Sequence, residues 1–543
     1  MKTLFKNAKI YDGTGAAAYK GDVLIDGDRI VKVVSKKDGG IETKAKSVKV
    51  VDLDGRSIAP GFIDCHSHND WFAIKNEPLK YFDPFIRQGI TSFVTGNCGL
   101  SAIGFHEGTP NVDKIGGGLF SYKEDTTGPY PSAAEFLDAV DGKGPCNIAT
   151  LVGHCSARAS VSGYENRQLN DEEMREMLDI LEESLKAGAA GVSLGLMYAP
   201  GLYSNKEELR KVAELCVKYD KPLTVHPRAE SAVSMAYPQL IGRSHLLRAF
   251  DELVDIAEGT DLKLQYSHAI FVGRRTFKDY PQFLKIVKKA REAGIRLQFD
   301  IYNELRGVSV ITVVMPVWYQ GMSPEERKRP DTRLKLEALV TATSLLLGFG
   351  FDDIEVAYIG PGYEKYEGKT VHQLAKEYGM KDLDMYLKLC EESDFQGRVN
   401  MGPYTTKKII HEFEKNDLCL FMTDAWVEEY GVQNPVLYDC FPLFLQDSLR
   451  GIGGTMPQTV RRMTGATADR FMIKERGYLK EGYYADLTIF DEKTLLRTNR
   501  TGKSFGIDKV YINGNCVLED GLTEEGGKLD EKALKTSGKA IRI

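Results

Sequence analysis

Two histidines separated by one residue stand at the end of an apolar run, and they could hold a metal ion. The run covers residues 59–64 and the pair is His66 and His68. Side chains at positions i and i+2 of a strand point to the same face, so both imidazoles could reach one ion. Two histidines alone do not make a site, because zinc takes three or four protein ligands. A pair of solvated histidines at a strand end is the alternative.

Further residues able to bind metal follow other apolar β-type runs. Cys98, His226, His268 and Asp424 each come at the end of such a run. Strand carboxyl ends meet at one face of a parallel barrel, and that face carries the sites of barrel enzymes. Imidazole and thiolate suit Zn²⁺, and a carboxylate can ligate or act as a base. Each residue alone is more typical of packing, but six at one face predict a zinc-type site.

The elements that would position these residues alternate between β-type and helix-type sequence. Strand ends are expected near His68, Gly99, His154, Leu196, Arg228, Ala269, Tyr302 and Trp426. Asn170 is expected to cap a helix in which apolar residues recur at steps of three and four. About eight strands with intervening helices predict an α/β fold of the (β/α)₈ TIM-barrel type.

Both ends of the chain have sequence typical of small β modules. Asp26-Gly27 and Asn513-Gly514 are signals for two-residue hairpin turns. We therefore predict one composite β-sandwich from residues 1–58 and 477–543, beside a catalytic barrel over residues 59–476. The interval between Tyr302 and Cys419 exceeds one βα unit, which predicts an insertion after strand seven at about residues 303–403.

Bulk composition narrows the class of protein. A hydrophobic fraction of 42% with 27% charged residues is typical of a globular protein, and the net charge of -6 argues against a nucleic-acid partner. No apolar run approaches the length of a membrane span, so no membrane partner is expected. Nine irregularly spaced cysteines and an N-terminus without a signal-peptide pattern predict reduced thiols in the cytoplasm. The expected partner is a small-molecule substrate, and the oligomeric state stays open.

The motifs together resemble the amidohydrolase superfamily and, within it, the D-aminoacylase or N-acyl-D-amino-acid deacylase family. The matching segments run nearly end to end and comprise residues 60–68, 96–99, 191–201, 267–268, 463–465 and 482–486. The resemblance implies a barrel flanked by a small β-sandwich. It also implies zinc-dependent hydrolysis of a non-peptide C–N amide bond, with an N-acyl-D-amino acid or a related N-acyl compound as substrate.

The resemblance further implies roles for the predicted ligands. Cys98, His226 and His268 would form a tight zinc site. Asp424 and the two histidines of the first strand would form a second, weaker metal position that need not be filled. Asp424 would also transfer protons, taking one from water and returning it to the departing amine.

Two positions depart from the family pattern. Relatives commonly carry a lysine two residues after the strand-six histidine and an arginine in the loop after the catalytic aspartate, but this chain has Ile270 and Val436. Arg228, Arg274 or Arg275 could compensate for the missing cations. The candidate substrate-binding residues are Tyr198, Arg228, Tyr302 and His154. For His154, a structural role and a functional one remain equally open.

Two alternative functions are compatible with this fold. A cyclic-amide hydrolase of the hydantoinase or dihydropyrimidinase kind would need a modified lysine after strand four, and residues 195–197 offer none. A non-catalytic scaffold with this fold would be expected to lack ligands, whereas this chain keeps the full set.

Overall fold

Strands and helices alternate through most of the chain in the computed structural model, which describes residues 2–42, 45, 47–111, 114, 120, 125–128, 130–234, 236–237, 242–320, 322–499 and 502–543. The strands are β1 (Lys2–Ile10), β2 (Tyr19–Asp26), β3 (Arg29–Ser35), β4 (Val48–Asp52), β5 (Ser57–Pro60), β6 (Phe62–Asp64), β7 (Ile90–Thr95), β8 (Asn147–Thr150), β9 (Val152–Gly153), β10 (Val192–Gly195), β11 (Pro222–His226), β12 (Lys263–Tyr266), β13 (Arg296–Ile301), β14 (Gly307–Val310), β15 (Ile354–Tyr358), β16 (Arg398–Met401), β17 (Cys419–Phe421), β18 (Leu487–Phe490), β19 (Ile507–Ile512), β20 (Asn515–Glu519) and β21 (Lys528–Leu529).

The α-helices are Asp70–Ala73, Leu79–Ile86, Ala133–Val140, His154–Ser162, Asp171–Lys186, Lys206–Lys218, His245–Ala257, Tyr280–Glu292, Val317–Gln320, Pro324–Arg327, Pro330–Leu347, Val371–Glu377, Asp382–Glu392, Lys407–Glu414, Val436–Leu449, Met456–Met463, Gly465–Phe471, Glu492–Arg497 and Glu531–Leu534. Among the described residues, none of these helices has the length and apolar character needed to cross a bilayer.

The barrel consists of parallel strands in the order of the sequence. β6, β7 and β8 pair in parallel, and a second parallel ladder runs from β9 through β10, β11, β12 and β13 to β17. β8 and β9 are two parts of one strand position interrupted at Leu151, whose N–H donates to the Thr95 carbonyl at 2.9 Å. Eight strand positions with helices between them confirm the predicted (β/α)₈ barrel.

The last barrel strand joins the first through a buried carboxylate. Asp64, at the end of β6, accepts hydrogen bonds from the Thr423 N–H at 3.1 Å and the Thr423 hydroxyl at 2.5 Å. The Asp424 N–H then donates to the His66 carbonyl at 3.1 Å. These bonds bring the ends of strands one and eight together, which is where the predicted metal ligands of both strands lie.

Local sequence explains the outer helices. Asn170 accepts hydrogen bonds from the N–H groups of Glu172 and Glu173, and the Glu173 carboxylate accepts from the Asn170 N–H, which completes a capping box. Met177 and Leu181 are fully buried against the barrel. The predicted helix is therefore confirmed, and its cap contributes about 1 kcal/mol to stability.

A nine-stranded sheet combines strands from both ends of the chain. Its order is β21-β20-β19-β18-β5-β1-β2-β3, with β4 paired to β1. Phe5 of β1 and Tyr511 of β19 are in edge contact with ring centroids 5.1 Å apart, although β5 and β18 lie between their strands, so the sheet folds over a shared apolar interior. Both predicted hairpins form. Ile512 pairs with Asn515, which confirms the turn at Asn513-Gly514. Asp26 pairs with Arg29, so the first turn is Gly27-Asp28, one residue later than predicted, because Asp26 still belongs to β2.

The interval between β13 and β17 contains its own small sheet. β14 and β15 both pair antiparallel with β16. The long helix Pro330–Leu347 belongs to the same interval, and Lys407–Glu414 is the helix that leads back into β17. These elements follow strand seven, on the side of the barrel where strand carboxyl ends lie.

Candidate metal centre

Donor atoms from five strand ends converge at the carboxyl face of the barrel. The Cys98 Sγ atom lies 3.3 Å from His66 Nε2 and 3.4 Å from His268 Nε2. Cys98, His226 and His268 form one group whose donor atoms all lie within 4.8 Å of one another, and His66, His68 and Cys98 form a second such group. The structure thus brings the five predicted His and Cys ligands together.

Asp424 completes the set from the end of strand eight. Its Oδ1 atom lies 3.4 Å from both His66 Nε2 and His68 Nε2. The Asp424 side chain retains 24% exposure, whereas that of His66 has none. Of these groups, Asp424 is therefore the one that both touches the ligands and remains open to a molecule entering from solvent.

The Cys98 thiol and the Asp424 carboxyl favour their anionic, metal-ligating forms, because protonated histidines beside them supply positive charge that a bound metal ion would replace. Burial opposes ionisation of the Cys98 thiol, but the neighbouring His66 and His268 imidazoles outweigh it and hold the pKa of Cys98 well below its usual value. Burial also opposes ionisation of Asp424, yet His66 and the hydrogen bond from His68 lower the pKa of that carboxyl. The thiolate is the form of cysteine that ligates metals. A thiolate, imidazoles and a carboxylate within this distance fit zinc.

Three of the ligand residues have backbone conformations that side chains of L-residues seldom adopt. The φ angles of Cys98, His268 and Asp424 are 54°, 31° and 49°. Such conformations cost on the order of 1–3 kcal/mol each and persist only where the surrounding structure enforces them. At Cys98 one constraint is close packing, since a Cβ at Gly195 would lie 2.0 Å from the Cys98 carbonyl oxygen. These strained backbone conformations direct the three side chains toward the centre of the site.

Two carboxylates beneath the ligands orient the imidazoles. Glu230 Oε1 lies 2.6 Å from His268 Nδ1, and Glu230 Oε2 lies 3.7 Å from His226 Nε2. Asp300 Oδ1 accepts a hydrogen bond from the backbone N–H of His268 at 2.6 Å and lies 3.5 Å from His66 Nδ1. A carboxylate at the far nitrogen of a ligating histidine fixes its ring orientation and raises its basicity.

The roles of Glu230 and Asp300 were not among the predictions from the sequence. Asp300 lies at the end of a predicted strand, which is a usable signal for a residue near the site. Glu230 lies four residues after His226 in a loop, and no sequence pattern pairs it with His268. Tyr404, which borders the centre, was likewise not predicted, because it follows the insertion rather than a predicted strand.

Tyrosines border the centre. The rings of Tyr198 and His226 are 4.6 Å apart. Burial, followed by nearby acidic groups, raises the pKa of Tyr198, Tyr302 and Tyr404 well above the usual value. Asp424 is among the acidic groups in all three cases. Tyr198 and Tyr302, both predicted to contact substrate, thus lie within electrostatic reach of Asp424 and keep their protons.

An aromatic wall stands on the His68 side. The Phe120 ring is 5.1 Å from the His68 ring, and the Trp426 ring is 5.5 Å from it. Phe120 and Trp426 are themselves in edge contact at 5.0 Å. This wall offers an apolar surface beside the metal ligands.

The structure corrects the substrate role predicted for Arg228. Its Nε and Nη2 atoms each donate to the Glu252 carboxylate at 3.1 Å, and its Nη1 and Nη2 atoms donate to the carbonyls of Leu202 and Ser204. These hydrogen bonds hold the Arg228 guanidinium against the neighbouring loop and helix, so it does not point to a substrate. Arg274 is likewise bound to Asp353 at 2.7 Å through two nitrogen atoms, and Arg275 lies exposed.

The substrate role predicted for His154 also needs correction. His154 Nε2 lies 2.8 Å from Glu208 Oε1, which additionally accepts from Arg158 Nε at 2.9 Å and from the Ser204 hydroxyl at 2.8 Å. His154, Arg158 and Glu208 are fully buried. These residues form a buried ion-pair network that joins two helices. His154 therefore has a structural role.

Comparison with known proteins relates the whole chain to one group. The amidohydrolase family model matches residues 49–221. Over 532 residues the chain is 27% identical to a D-aminoacylase of Alcaligenes xylosoxydans xylosoxydans, covering 95% of this chain and 94% of that protein. The crystal structure of a D-aminoacylase superimposes with a TM-score of 0.76 at 23% identity, covering 100% of this chain and 99% of the other. An N-acyl-D-glutamate deacylase from Bordetella bronchiseptica, solved with zinc and a phosphonate inhibitor, gives the same values.

Replacement of Cys98 tests its role as a ligand. Cys98→Ala should lower bound zinc from about one ion per chain to well below one, because the substitution removes the thiolate. Elemental analysis by mass spectrometry after dialysis measures this. Cys155→Ala is the matched control, since Cys155 is also buried but burial raises the pKa of its thiol to about 12. Full zinc in Cys98→Ala would show that Cys98 only packs.

Proposed function

Because the chain belongs to the amidohydrolase superfamily, in the D-aminoacylase group, we propose that it is a zinc-dependent hydrolase that deacylates an N-acyl-D-amino acid or a related N-acyl compound. The bond cleaved is a C–N amide bond other than a peptide bond. The observation that carries this proposal is the convergence of Cys98 with four histidines and the accessible carboxylate of Asp424.

The ligand set divides into two overlapping groups. Cys98, His226 and His268 would hold the tightly bound zinc ion, and Glu230 contacts the Nδ1 atom of His268 at 2.6 Å. Asp424 with His66 and His68 would form the weaker position. When bound, zinc polarises an amide carbonyl and lowers the pKa of water from 15.7 toward about 7.

Asp424 is the group that moves protons. Its lowered pKa keeps it as a carboxylate at neutral pH, so it can accept a proton from the attacking water. It then donates that proton to the amine nitrogen as the C–N bond breaks. Its Oδ1 atom lies 3.4 Å from the Nε2 atoms of both His66 and His68, which holds the carboxylate beside the metal ligands.

The tyrosines and the aromatic wall indicate which kind of substrate the site would bind. Tyr198, Tyr302 and Tyr404 keep their protons and can donate hydrogen bonds to substrate oxygens. Phe120 and Trp426 suit an apolar acyl group or side chain. The charged groups that act on Tyr404 are Glu230 and Asp424, both acidic. We therefore expect a neutral amino-acid side chain to be accepted better than an acidic one.

The arginines that could bind a substrate carboxylate are committed elsewhere. Arg228 is bound to Glu252 and Arg274 to Asp353, and the positions of the family cations hold the buried residues Ile270 and Val436. Hydrogen bonds from tyrosines would replace ion pairs in holding the amino-acid carboxylate. Such bonds are weaker than bidentate contacts with arginine, so a modest affinity for substrate is expected.

The alternative functions receive less support. β10 has the sequence Val-Ser-Leu-Gly and carries no lysine that could bridge two metals as in a hydantoinase. A scaffold without catalytic function would not need three ligand residues in strained backbone conformations.

We place the enzyme in the cytoplasm, acting on a small molecule. The nine cysteines are all free thiols, and eight of them are buried, which is the usual state in a reducing compartment.

Substitution of the proposed base tests the mechanism. Asp424→Asn should lower kcat by at least about 100-fold, because an amide cannot accept the proton from water. Zinc at the Cys98 group should remain near one ion per chain. Asp331→Asn, an exposed aspartate paired with Arg329, is the control and should keep full activity. Steady-state kinetics with parallel metal analysis measures both, and full turnover by Asp424→Asn would refute the assignment.

A substrate panel tests the proposed activity itself. The zinc-loaded enzyme is assayed with N-acetyl-D-leucine, N-acetyl-D-glutamate, the corresponding L compounds, and dihydrouracil. The expected order of kcat/KM places N-acetyl-D-leucine first, with the acidic compound lower by at least about tenfold because of repulsion by the acidic surroundings. Turnover of dihydrouracil without turnover of any N-acyl compound would replace the proposal with the cyclic-amide alternative.

A further inference from the structure

A second cavity lies at the opposite end of the barrel from the metal centre. It has a volume of about 630 Å³ and is lined at the amino-terminal ends of β12 and β13, where Lys263 and Arg296 lie. The helices Met456–Met463 and Gly465–Phe471 form another part of its lining. The metal ligands follow the carboxyl-terminal ends of the same strands, so this cavity is distinct from the candidate metal centre.

The lining carries more positive than negative charge, although Asp220, just outside it, lies 3.0 Å from Lys263 and 3.5 Å from Arg296. Its lining residues include five arginines and two lysines against two aspartates. The chain as a whole carries a net charge of -6. A concave surface concentrates the field of its charges, which favours ligands of the opposite sign.

Arg470 is a buried cation of the lining, and it has no carboxylate partner within hydrogen-bond distance among the described residues. It is 7% exposed. Its Nε donates to Gln265 Oε1 at 3.2 Å and its Nη1 to the Arg296 carbonyl at 3.0 Å, whereas Nη2 has no acceptor in the described part of the chain. Burial, with a further effect from the like charge of Arg296, lowers the pKa of Arg470 to about 9. A buried donor without an acceptor costs about 1–3 kcal/mol, and more when charged.

Arg462, a second buried cation of the lining, donates its hydrogen bonds to neutral groups. Arg462 is 4% exposed, and it donates to the backbone carbonyls of Glu414, Asn416 and Gln458. The two lining aspartates lie at the exposed rim, where Asp417 pairs with Arg291 at 2.9 Å and Asp469 approaches Arg461 at 3.8 Å. Both acidic residues of the lining therefore lie at its exposed rim, and neither pairs with Arg462 or Arg470.

We propose that this cavity is a binding site for a phosphate-bearing small molecule. Guanidinium groups present several N–H donors in a fixed fork that matches phosphate oxygens. The volume exceeds that of one inorganic phosphate and falls within the range of about 300–1,000 Å³ for small-ligand sites. A phosphate group would accept from Arg470 Nη2 and offset the repulsion between Arg470 and Arg296. The remaining volume would hold the organic part of the ligand.

Binding is measured by isothermal titration calorimetry of the full-length, zinc-loaded protein in a phosphate-free buffer at neutral pH and low salt. The probes are inorganic phosphate and adenosine monophosphate, which share the phosphate group and differ in the organic part. We expect saturable binding at one site per chain, with the nucleotide at least as tight as phosphate. Added sodium chloride should weaken both, because it screens the charges.

Variants at the exposed edge of the cavity locate the site. Arg296→Gln and Arg461→Gln together should raise the dissociation constant by at least about tenfold, which corresponds to 1.4 kcal/mol. Both side chains are about half exposed, so the fold should tolerate their loss. Arg470→Gln should weaken binding further, with its folding checked by circular dichroism. Arg329→Gln is the matched control, since Arg329 is an exposed arginine of the insertion paired with Asp331.

Two results would overturn the proposal. One is the absence of saturable binding of either probe to the wild-type protein. The other is equal binding by the wild type and the Arg296→Gln/Arg461→Gln variant, which would place the anion elsewhere, such as at the zinc ion. Neither result depends on whether the chain deacylates an N-acyl-D-amino acid.

Discussion

The structure depends most on holding one thiolate among imidazoles in a buried space. The Cys98 Sγ atom lies within 3.4 Å of two imidazole nitrogens, and a third imidazole of the same group lies within 4.8 Å. Burial of a thiolate without a positive charge or a metal ion nearby is unfavourable in free energy, so the fold must place all its partners around it. The barrel achieves this because its parallel strands end at one face, and five of the eight strand positions contribute one or two ligand side chains. Positive φ angles at Cys98, His268 and Asp424 turn those side chains toward a common point.

Carboxylates behind the ligands contact the ligand residues, and one of them takes part in hydrogen bonds that connect the two ends of the barrel. Asp300 accepts a hydrogen bond from the backbone N–H of His268, and its other oxygen accepts from the Gln265 amide at 2.7 Å. Gln265 in turn accepts from Arg470, which lines the cationic cavity. A continuous chain of hydrogen bonds therefore runs through the barrel interior from the metal ligands to that cavity. Polar networks of this kind fix one side-chain arrangement when every member has a partner.

Much of the fold and of the ligand set could be predicted from the sequence, for a physical reason. A barrel strand carries no polar alternation and ends at a definite face, so a histidine or cysteine that follows an apolar run has a predictable location. Asn170 and the two hairpin turns could be predicted because caps and turns depend on residues close in sequence. The family resemblance supplied the division of the ligands into two groups.

What could not be predicted depends on contacts between distant residues. Arg228 was a candidate for binding substrate, but Glu252 lies one helix away and takes its guanidinium. His154 ends a strand as the other histidines do, yet Glu208, 54 residues later, binds it within a buried network. Glu230 reaches His268 only because strands five and six are neighbours. In each case the decisive partner comes from another element, and its direction is set by tertiary packing.

The coordination of zinc by the Cys98 thiolate is the central claim, and X-ray absorption spectroscopy at the zinc edge measures it most directly. The wild-type protein loaded with one equivalent of zinc should show one sulfur ligand at about 2.3 Å, with nitrogen or oxygen ligands at about 2.0–2.1 Å. A spectrum fitted by nitrogen and oxygen ligands alone would contradict the account, because it would place the metal away from the thiolate.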